Sequence, residues 1–283
     1  MNANSLPKTP TLDSWLDDAA AELTAAKTSS ARLDAELILS HTLRRPRTYL
    51  HAHGNEQLTP RLQEILDARL QLRLDHTPIA YIVGHKDFYG RRFKTTPAAL
   101  IPRPESEAII ELLATIIPKN LSLIPNPLHL VDVGTGTGCL GITAKLEWPE
   151  LDVTVTDISN HALNLAKENA AALGANITFI RGDLLHGFAT PVDIIVANLP
   201  YVDRSWDVSP DTQAEPQEAL YADEKGLALI RQLIDQAALL LRPHGSLLIE
   251  SDVRQQTDIT SLARQQKFKY QQTSGLITHF TRD

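Results

Sequence analysis

The stretch VDVGTGTGCLG, residues 131–141, sets glycines at alternate positions between an apolar run and a helical one. Neither a strand nor a helix continues comfortably through Gly134, Gly136 and Gly138, so the chain must turn there. Missing side chains at a strand-to-helix turn also let a ligand approach the backbone closely. Gly136, Gly138 and Gly141 satisfy the spacing G-x-G-x-x-G of dinucleotide loops. Gly134, Thr135, Gly136, Thr137 and Gly138 are therefore candidate cofactor-binding residues. At this point the loop is compatible with several adenosine-bearing cofactors.

The texture around the loop fixes the fold class. From Leu128, short β-rich runs (LHLVDVG, DVTVTDI, NITFIRGD, VDIIVANLP, GSLLIESD) alternate with amphipathic helical ones (CLGITAKLEW, HALNLAKENAAAL, GLALIRQLIDQAALLL). That alternation predicts parallel βαβ units, hence an α/β fold with an open doubly wound sheet. The ending FKYQQTSGLITHFTRD predicts two antiparallel strands around Ser274 and Gly275. Upstream, three helical segments lie between Thr11 and about Asp75, with apolar residues three and four apart and Thr, Ser or Asp near each start. Between them and the sheet, Pro78, Gly84, Gly90, Pro97, Pro102 and Pro104 exclude a long helix, and FYGRRF suggests a short hairpin. The expected division is a helical domain over 1–76, a connector over 77–107 and a cofactor-binding domain over 108–283.

Two later strand ends add to the ligand site. Asp157 closes VTVTD at the second βα turn, where an acid accepts hydrogen bonds from ribose hydroxyls. Asp183 and Leu184 follow NITFIRG at the third, where they would read and flank an adenine; a solvating carboxylate is the alternative for Asp183.

The fourth strand, DIIVA, stops at Asn198-Leu199-Pro200-Tyr201. A hydride-transfer site needs no planar amide pocket, whereas this corner offers one. The Asn198 oxygen and a turn carbonyl can accept both N–H bonds of a flat NH2 group. Pro200 fixes the turn, and Tyr201 supplies a ring face for stacking. An amide or exocyclic amine nitrogen donates its lone pair into a π system and is a poor nucleophile. Holding both hydrogens concentrates electron density on it and aligns it with a sulfonium methyl. Asn198, Pro200 and Tyr201 are thus the catalytic candidates, with Leu199 beside them for substrate and Asn198 also touching the cofactor. The chemistry requires no metal.

The resemblance that these motifs carry is to the glutamine N5-methyltransferases of peptide-chain release factors, a branch of the S-adenosylmethionine-dependent methyltransferases. It runs through PIAYIVGHKDFYG, LIPRPESE, VDVGTGTG, NLPYV, AEPQEAL and GSLLIE. It implies a Rossmann-like class I methyltransferase sheet, S-adenosylmethionine as cofactor, and a small N-terminal helical domain that engages the release factor. The substrate implied is the glutamine of the Gly-Gly-Gln loop. Leu199 departs from the family's Asn-Pro-Pro-Tyr and resembles the motif of adenine N6-methyltransferases acting on DNA or RNA. The tail TSGLITHFTRD lacks the Asp-Arg-rich ending of the family.

Charge bears on that alternative. The formal net charge is -7, with 13 Lys and Arg against 11 Asp and Glu in residues 1–97 and 14 against 23 in the rest. Nucleic-acid binders usually carry a basic excess, so no stable nucleic-acid binding is expected. One cysteine, Cys139, excludes an intrachain disulfide and a zinc cluster. MNANSLPKTP has no apolar leader and no apolar run is long enough to span a bilayer, which suggests a soluble, cytoplasmic protein with no membrane partner.

Several residues carry open readings. Arg103 and Glu107 of LIPRPESE could pair or line the cofactor entrance. Phe88 and Tyr89 could cover the cofactor or sit in the core. Glu215 would order the loop after the corner, and Asp203 and Trp206 could shape the substrate entrance or be simple surface positions. Cys139, at a helix start, could be acidic or simply a small packing residue.

Overall fold

The computed structural model describes residues 9–121 and 127–283. The opening MNANSLPK, read above as carrying no leader, lies outside them. The chain forms two compact units, one reaching to Gly84 and including Ser209–Ala214, the other comprising His85–Val208 and Glu215–Asp283.

The first unit is helical: α1 (Leu12–Ala25), α2 (Ala31–Leu43), α3 (Arg47–Ala52), α4 (Pro60–Leu74) and α5 (Ile79–Val83). Thr11 caps α1 by accepting from the Ser14 N–H while the Ser14 hydroxyl oxygen accepts from the Thr11 N–H. Thr59 caps α4, with Pro60 in its first turn. Trp15, Leu16, Ile38, Leu39, Leu50 and Leu66 close an apolar core. Buried Arg73 donates to Asp34 Oδ2 at 2.7 Å and makes two further bonds, 3.0 and 2.8 Å, to the carboxylate of Asp211. Burying a guanidinium requires such pairing. The unit runs past the expected boundary at residue 76 because α5, entered through Pro78, packs against α2 and α4.

The second unit opens with an antiparallel hairpin, β1 (His85–Phe88) and β2 (Arg91–Lys94), turning at Tyr89-Gly90. A short 3-10 turn, Pro104–Ser106, leads into α6 (Glu107–Leu121). Then come β3 (His129–Val133), α7 (Cys139–Glu147), β4 (Asp152–Asp157), α8 (Asn160–Leu173), β5 (Thr178–Arg181) and β6 (Val192–Ala197). A single turn α9 (Asp223–Gly226) precedes α10 (Ala228–Leu240), β7 (Leu241–Glu250), α11 (Gln256–Gln265), β8 (Phe268–Ser274) and β9 (Ile277–Arg282).

The main sheet has the order β5-β4-β3-β6-β7-β9-β8, parallel through β7 and antiparallel at β9 and β8. Its central strands β3 and β6 are buried on both faces. Leu130, Ile194 and Val196 pack with Ile109, Leu140 and Ala170 on one side, while Val131, Val133, Ile195 and Ala197 pack with Ile230, Leu233 and Ile259 on the other. Period-two alternation between two covered faces is what a buried parallel sheet demands. The chain runs outward from β3 to β4 and β5, then crosses back to β6 on the other side of β3. That reversal makes the β3/β6 junction the topological switch point, and its carboxyl edge the place for a ligand. No helix among the described residues is long and apolar enough to cross a membrane.

Candidate active site

Register builds the site. Val133 pairs with Thr156 on one side and with Ala197 on the other, and Ala197 pairs with Ile249. One residue further along each strand, Asp157, Gly134, Asn198 and Glu250 form a row along the carboxyl edge, at strand spacings of about 4.8 Å.

The glycine loop is held from beneath. Gly134 and Thr135 N–H both donate to Thr156 O at 2.9 Å. Buried Asp132 accepts from Thr135 Oγ1 at 2.6 Å and from Gly141 N–H at 3.0 Å. Burial pushes its carboxyl up to about 6, against the lowering effect of those two bonds. Asp157 accepts one N–H on each oxygen, from Gly136 and from Ser159, both at 2.9 Å. Burial raises its carboxyl, and the N–H groups of Ser159 and Gly136 oppose the rise.

The loop and the strand ends enclose a cavity of ≈ 290 Å³. Of the residues expected at the cofactor, Gly134, Gly136, Asp157, Asp183, Leu184 and Asn198 line it, as do Leu199 and Pro200 of the corner. Thr135, Thr137 and Gly138 do not; Thr135 serves as the hydroxyl that Asp132 holds, Thr137 is buried, and Gly138 caps α7. Asp183 lies exposed at the rim, and Leu184 takes a left-handed φ of 53° with its carbonyl accepting from Thr156 Oγ1. Sequence reasoning missed Ile158, which is 63% exposed yet lines the cavity beside Asp157. An apolar residue directly after the strand-end acid was the available signal. Ala98, Ala99 and Leu100 also line the cavity and carried no local motif.

A smaller pocket of ≈ 50 Å³ shares Leu100, Asn198, Leu199 and Ala219 with the larger one and adds Arg103, Tyr201 and Glu250. Asn198 thus lines both. Its Nδ2 donates to Ser106 Oγ at 3.0 Å. Burial pushes the Tyr201 phenol up, so the hydroxyl stays protonated. Leu199 is buried against Gly134, where a Cβ would stand 2.7 Å from its Cδ2. It therefore closes the gap over the glycine turn.

The turn has supports of its own. Tyr201 O accepts from Gln255 Nε2 at 2.8 Å, Val202 N–H donates to Leu220 O at 3.0 Å, and Ala222 N–H donates to Val202 O at 3.2 Å. Gly226, at φ +82°, faces that same carbonyl, and a Cβ there would lie 1.9 Å from Tyr201 O. Gly226→Ala is expected to displace the corner and lower kcat/KM at least about tenfold, as small misplacements of substrate-holding groups do. Steady-state kinetics alongside donor titration checks this, the donor affinity changing much less.

Arg103 pairs with buried Glu215 at 2.5 Å, and Glu215 also accepts the Ile101 N–H at 3.1 Å, so this acid pins the loop to LIPRPESE. Glu107 instead accepts the Tyr89 N–H at 2.8 Å. Phe88 is core, edge-on to Phe93 at 6.1 Å. Burial, reinforced by Asp132, pushes the Cys139 thiol up to about 12, which makes it a packing residue. Arg254 stacks 3.5 Å over Trp206, and Asp203 accepts the Ser205 N–H. Among the described residues no cluster of His, Cys, Asp or Glu is placed to hold a metal.

Comparison with known proteins adds an independent line. Residues 14–84 match the family model described as PrmC N-terminal domain, and residues 110–214 match the methyltransferase small domain. The release factor glutamine methyltransferase of Deinococcus radiodurans is 38% identical over 242 residues, 84% of this chain and 85% of the relative. That of Escherichia coli is 35% identical over 240 residues, 83% and 84% of the two chains. Among solved structures, a methyltransferase from Pyrococcus furiosus aligns at TM-score 0.52 and 18% identity over 76% of this chain and 97% of its own. The hMettl16 catalytic domain aligns at 0.52 and 16% over 76% and 81%. These two show the shared methyltransferase fold.

Proposed function

The chain belongs to the family of release factor glutamine methyltransferases, and we propose that it moves a methyl group from S-adenosylmethionine to the side-chain amide nitrogen of the Gly-Gly-Gln glutamine of a peptide-chain release factor. The observation that carries this reading is Asn198, set between the larger cavity and the smaller pocket with its NH2 turned to Ser106 and its oxygen available to a donor.

The cavity residues fit the cofactor. Each Asp157 oxygen takes one N–H and keeps a lone pair for a ribose hydroxyl. Gly134 and Gly136 line the cavity without side chains, and Ile158 and Leu184 offer apolar walls to an adenine. When bound, S-adenosylmethionine supplies an electrophilic methyl carbon on a sulfonium. Asn198 Oδ1 and a carbonyl of the Leu199-Pro200 turn take the two N–H bonds of the glutamine amide and hold its nitrogen in line. As the N–C bond forms, the C–S bonding pair stays on sulfur and one of the two amide protons is released to solvent. Tyr201 flanks the flat amide, and Gln255 and Gly226 keep the turn from yielding. Leu199, in place of the family's proline, fills the space over Gly134, while rigidity comes from the bonds around Tyr201 and Val202. The helical unit, which reaches to Gly84 and includes Ser209–Ala214, is the part we assign to release-factor engagement.

The test is incubation of the purified chain with isotopically labelled S-adenosylmethionine and either a release factor, duplex DNA or RNA. Label is expected in the release factor. Label confined to nucleic acid would sink the reading.

A further inference from the structure

Asn198 is an ambiguous tool. Its amide presents an acceptor in one orientation and a donor in the other, and only the first complements a substrate NH2. Something must choose between them.

The choice can be traced to one proton. Ser106 Oγ lies 2.6 Å from Glu250 Oε2 and 3.0 Å from Asn198 Nδ2. A serine hydroxyl has a single proton. Given to the Glu250 carboxylate, it leaves only lone pairs toward Asn198, so the amide must turn its NH2 to Ser106 and its oxygen away. Were the serine proton directed at Asn198 instead, the amide would turn over and meet the substrate NH2 with another NH2. Ser106 and Glu250 are 2% and 0% exposed, so water does not compete for these bonds. Ser106 is fixed by the LIPRPESE segment, which Glu215 clamps through Ile101 and Arg103.

We propose that Ser106 and Glu250 are positioning residues that lock the Asn198 amide with its oxygen toward the substrate, making the site selective for a group that donates two hydrogens. The inference rests on the glutamine reading above and deepens it. It also gives the serine of LIPRPESE a chemical role.

A dependence on pH follows. Burial pushes Glu250 up to about 7, the Ser106 bond opposes that, nearby Glu105 adds to it, and the Tyr201 hydroxyl and Arg103 oppose it. Cys139 also feels Glu250, and Asp252 and Arg103 face Tyr201, which the same carboxylate touches electrostatically. A protonated Glu250 can donate to Ser106, which frees the serine proton for Asn198 and releases the lock. Transfer should therefore fall as pH drops through about 7.

The experiment measures kcat, KM for the release factor and donor affinity for Ser106→Ala, Ser106→Thr and Glu250→Gln across about pH 6 to 9. Ser106→Ala is expected to lower kcat about ten- to thirtyfold while donor affinity stays within about twofold, the scale of one misplaced hydrogen bond. Ser106→Thr keeps the hydroxyl and should restore the rate. A glutamine at 250 can face Ser106 with either its oxygen or its NH2, so Glu250→Gln should be slow and nearly flat in pH. Ser106→Ala at wild-type kcat, or Glu250→Gln retaining the wild-type acidic fall, would overturn the proposal. If Ser106→Ala loses donor binding or folds poorly, the Ser106→Thr rate and the Glu250→Gln profile decide it. Wild type that fails to label the glutamine contradicts the function itself, whereas active wild type with an equally active Ser106→Ala contradicts only this inference.

Discussion

Asn198→Ala is expected to lower kcat for glutamine methylation about 10²- to 10³-fold, the range seen when one preorganised group is removed from a reacting centre. The amide nitrogen of glutamine is a weak nucleophile, and the Glu250 carboxylate that shares the smaller pocket with Asn198 is engaged by Ser106. What remains is orientation and the electron density that two hydrogen-bond acceptors leave on nitrogen. Alanine removes one acceptor and vacates the space that fixes the angle of approach. On the proposed reading the donor leans instead on Asp157, the glycine turn and the apolar walls, so calorimetry with S-adenosylmethionine should show a Kd within a few-fold of wild type. A donor affinity that collapses with the rate would mean that Asn198 shapes the cofactor site rather than holding substrate.

Asp157→Ala should produce the opposite split. Its carboxylate takes the Gly136 and Ser159 N–H groups and is the only acid among the cavity residues placed directly at the second βα turn. Hydrogen bonds to a charged group are worth about 1.5–3 kcal/mol each, so losing those to two ribose hydroxyls should raise the donor Kd by roughly 10²-fold or more. At saturating donor, kcat should recover most of its value, because Asn198 and the Tyr201 turn are untouched. Asp157→Asn, which keeps one acceptor oxygen, should fall between. Titration calorimetry with single-turnover rates at high donor concentration separates these effects.

What was legible in the sequence was local. VDVGTGTG declares its turn because alternate glycines suit neither a strand nor a helix, while Asp157 closes a short Val-Thr run and Asn198 follows a short Ile-Val one, both rich in β-branched residues as strands are. The alternation of strands and helices was enough for a doubly wound sheet, and Ser274-Gly275 marked the last hairpin. The bonds that make the corner work connect residues far apart in the chain. Ser106 is 92 positions from Asn198 and 144 from Glu250. No periodicity links them; only the sheet register that brings Asn198 level with Glu250 does. Gln255 and Gly226 are hidden for the same reason, since their partner is a backbone carbonyl that no side-chain motif announces. Thr135 and Thr137 are cofactor candidates in the sequence because they sit between the glycines. In the fold the loop turns them inward, and Asp132 claims the first. Leu199 raised the adenine alternative from its identity alone, whereas its burial over Gly134 gives it a packing role independent of substrate.

The central claim is that the Asn198 corner methylates one glutamine of a release factor. Its most direct test is tandem mass spectrometry of a release factor, and of its Gly-Gly-Gln variant with alanine for glutamine, after reaction with the purified chain and S-adenosylmethionine. A single added methyl group on that glutamine's side chain, absent from the alanine variant, is the expected result. Equal methylation of the two proteins, or methylation at another residue with the glutamine untouched, would contradict it.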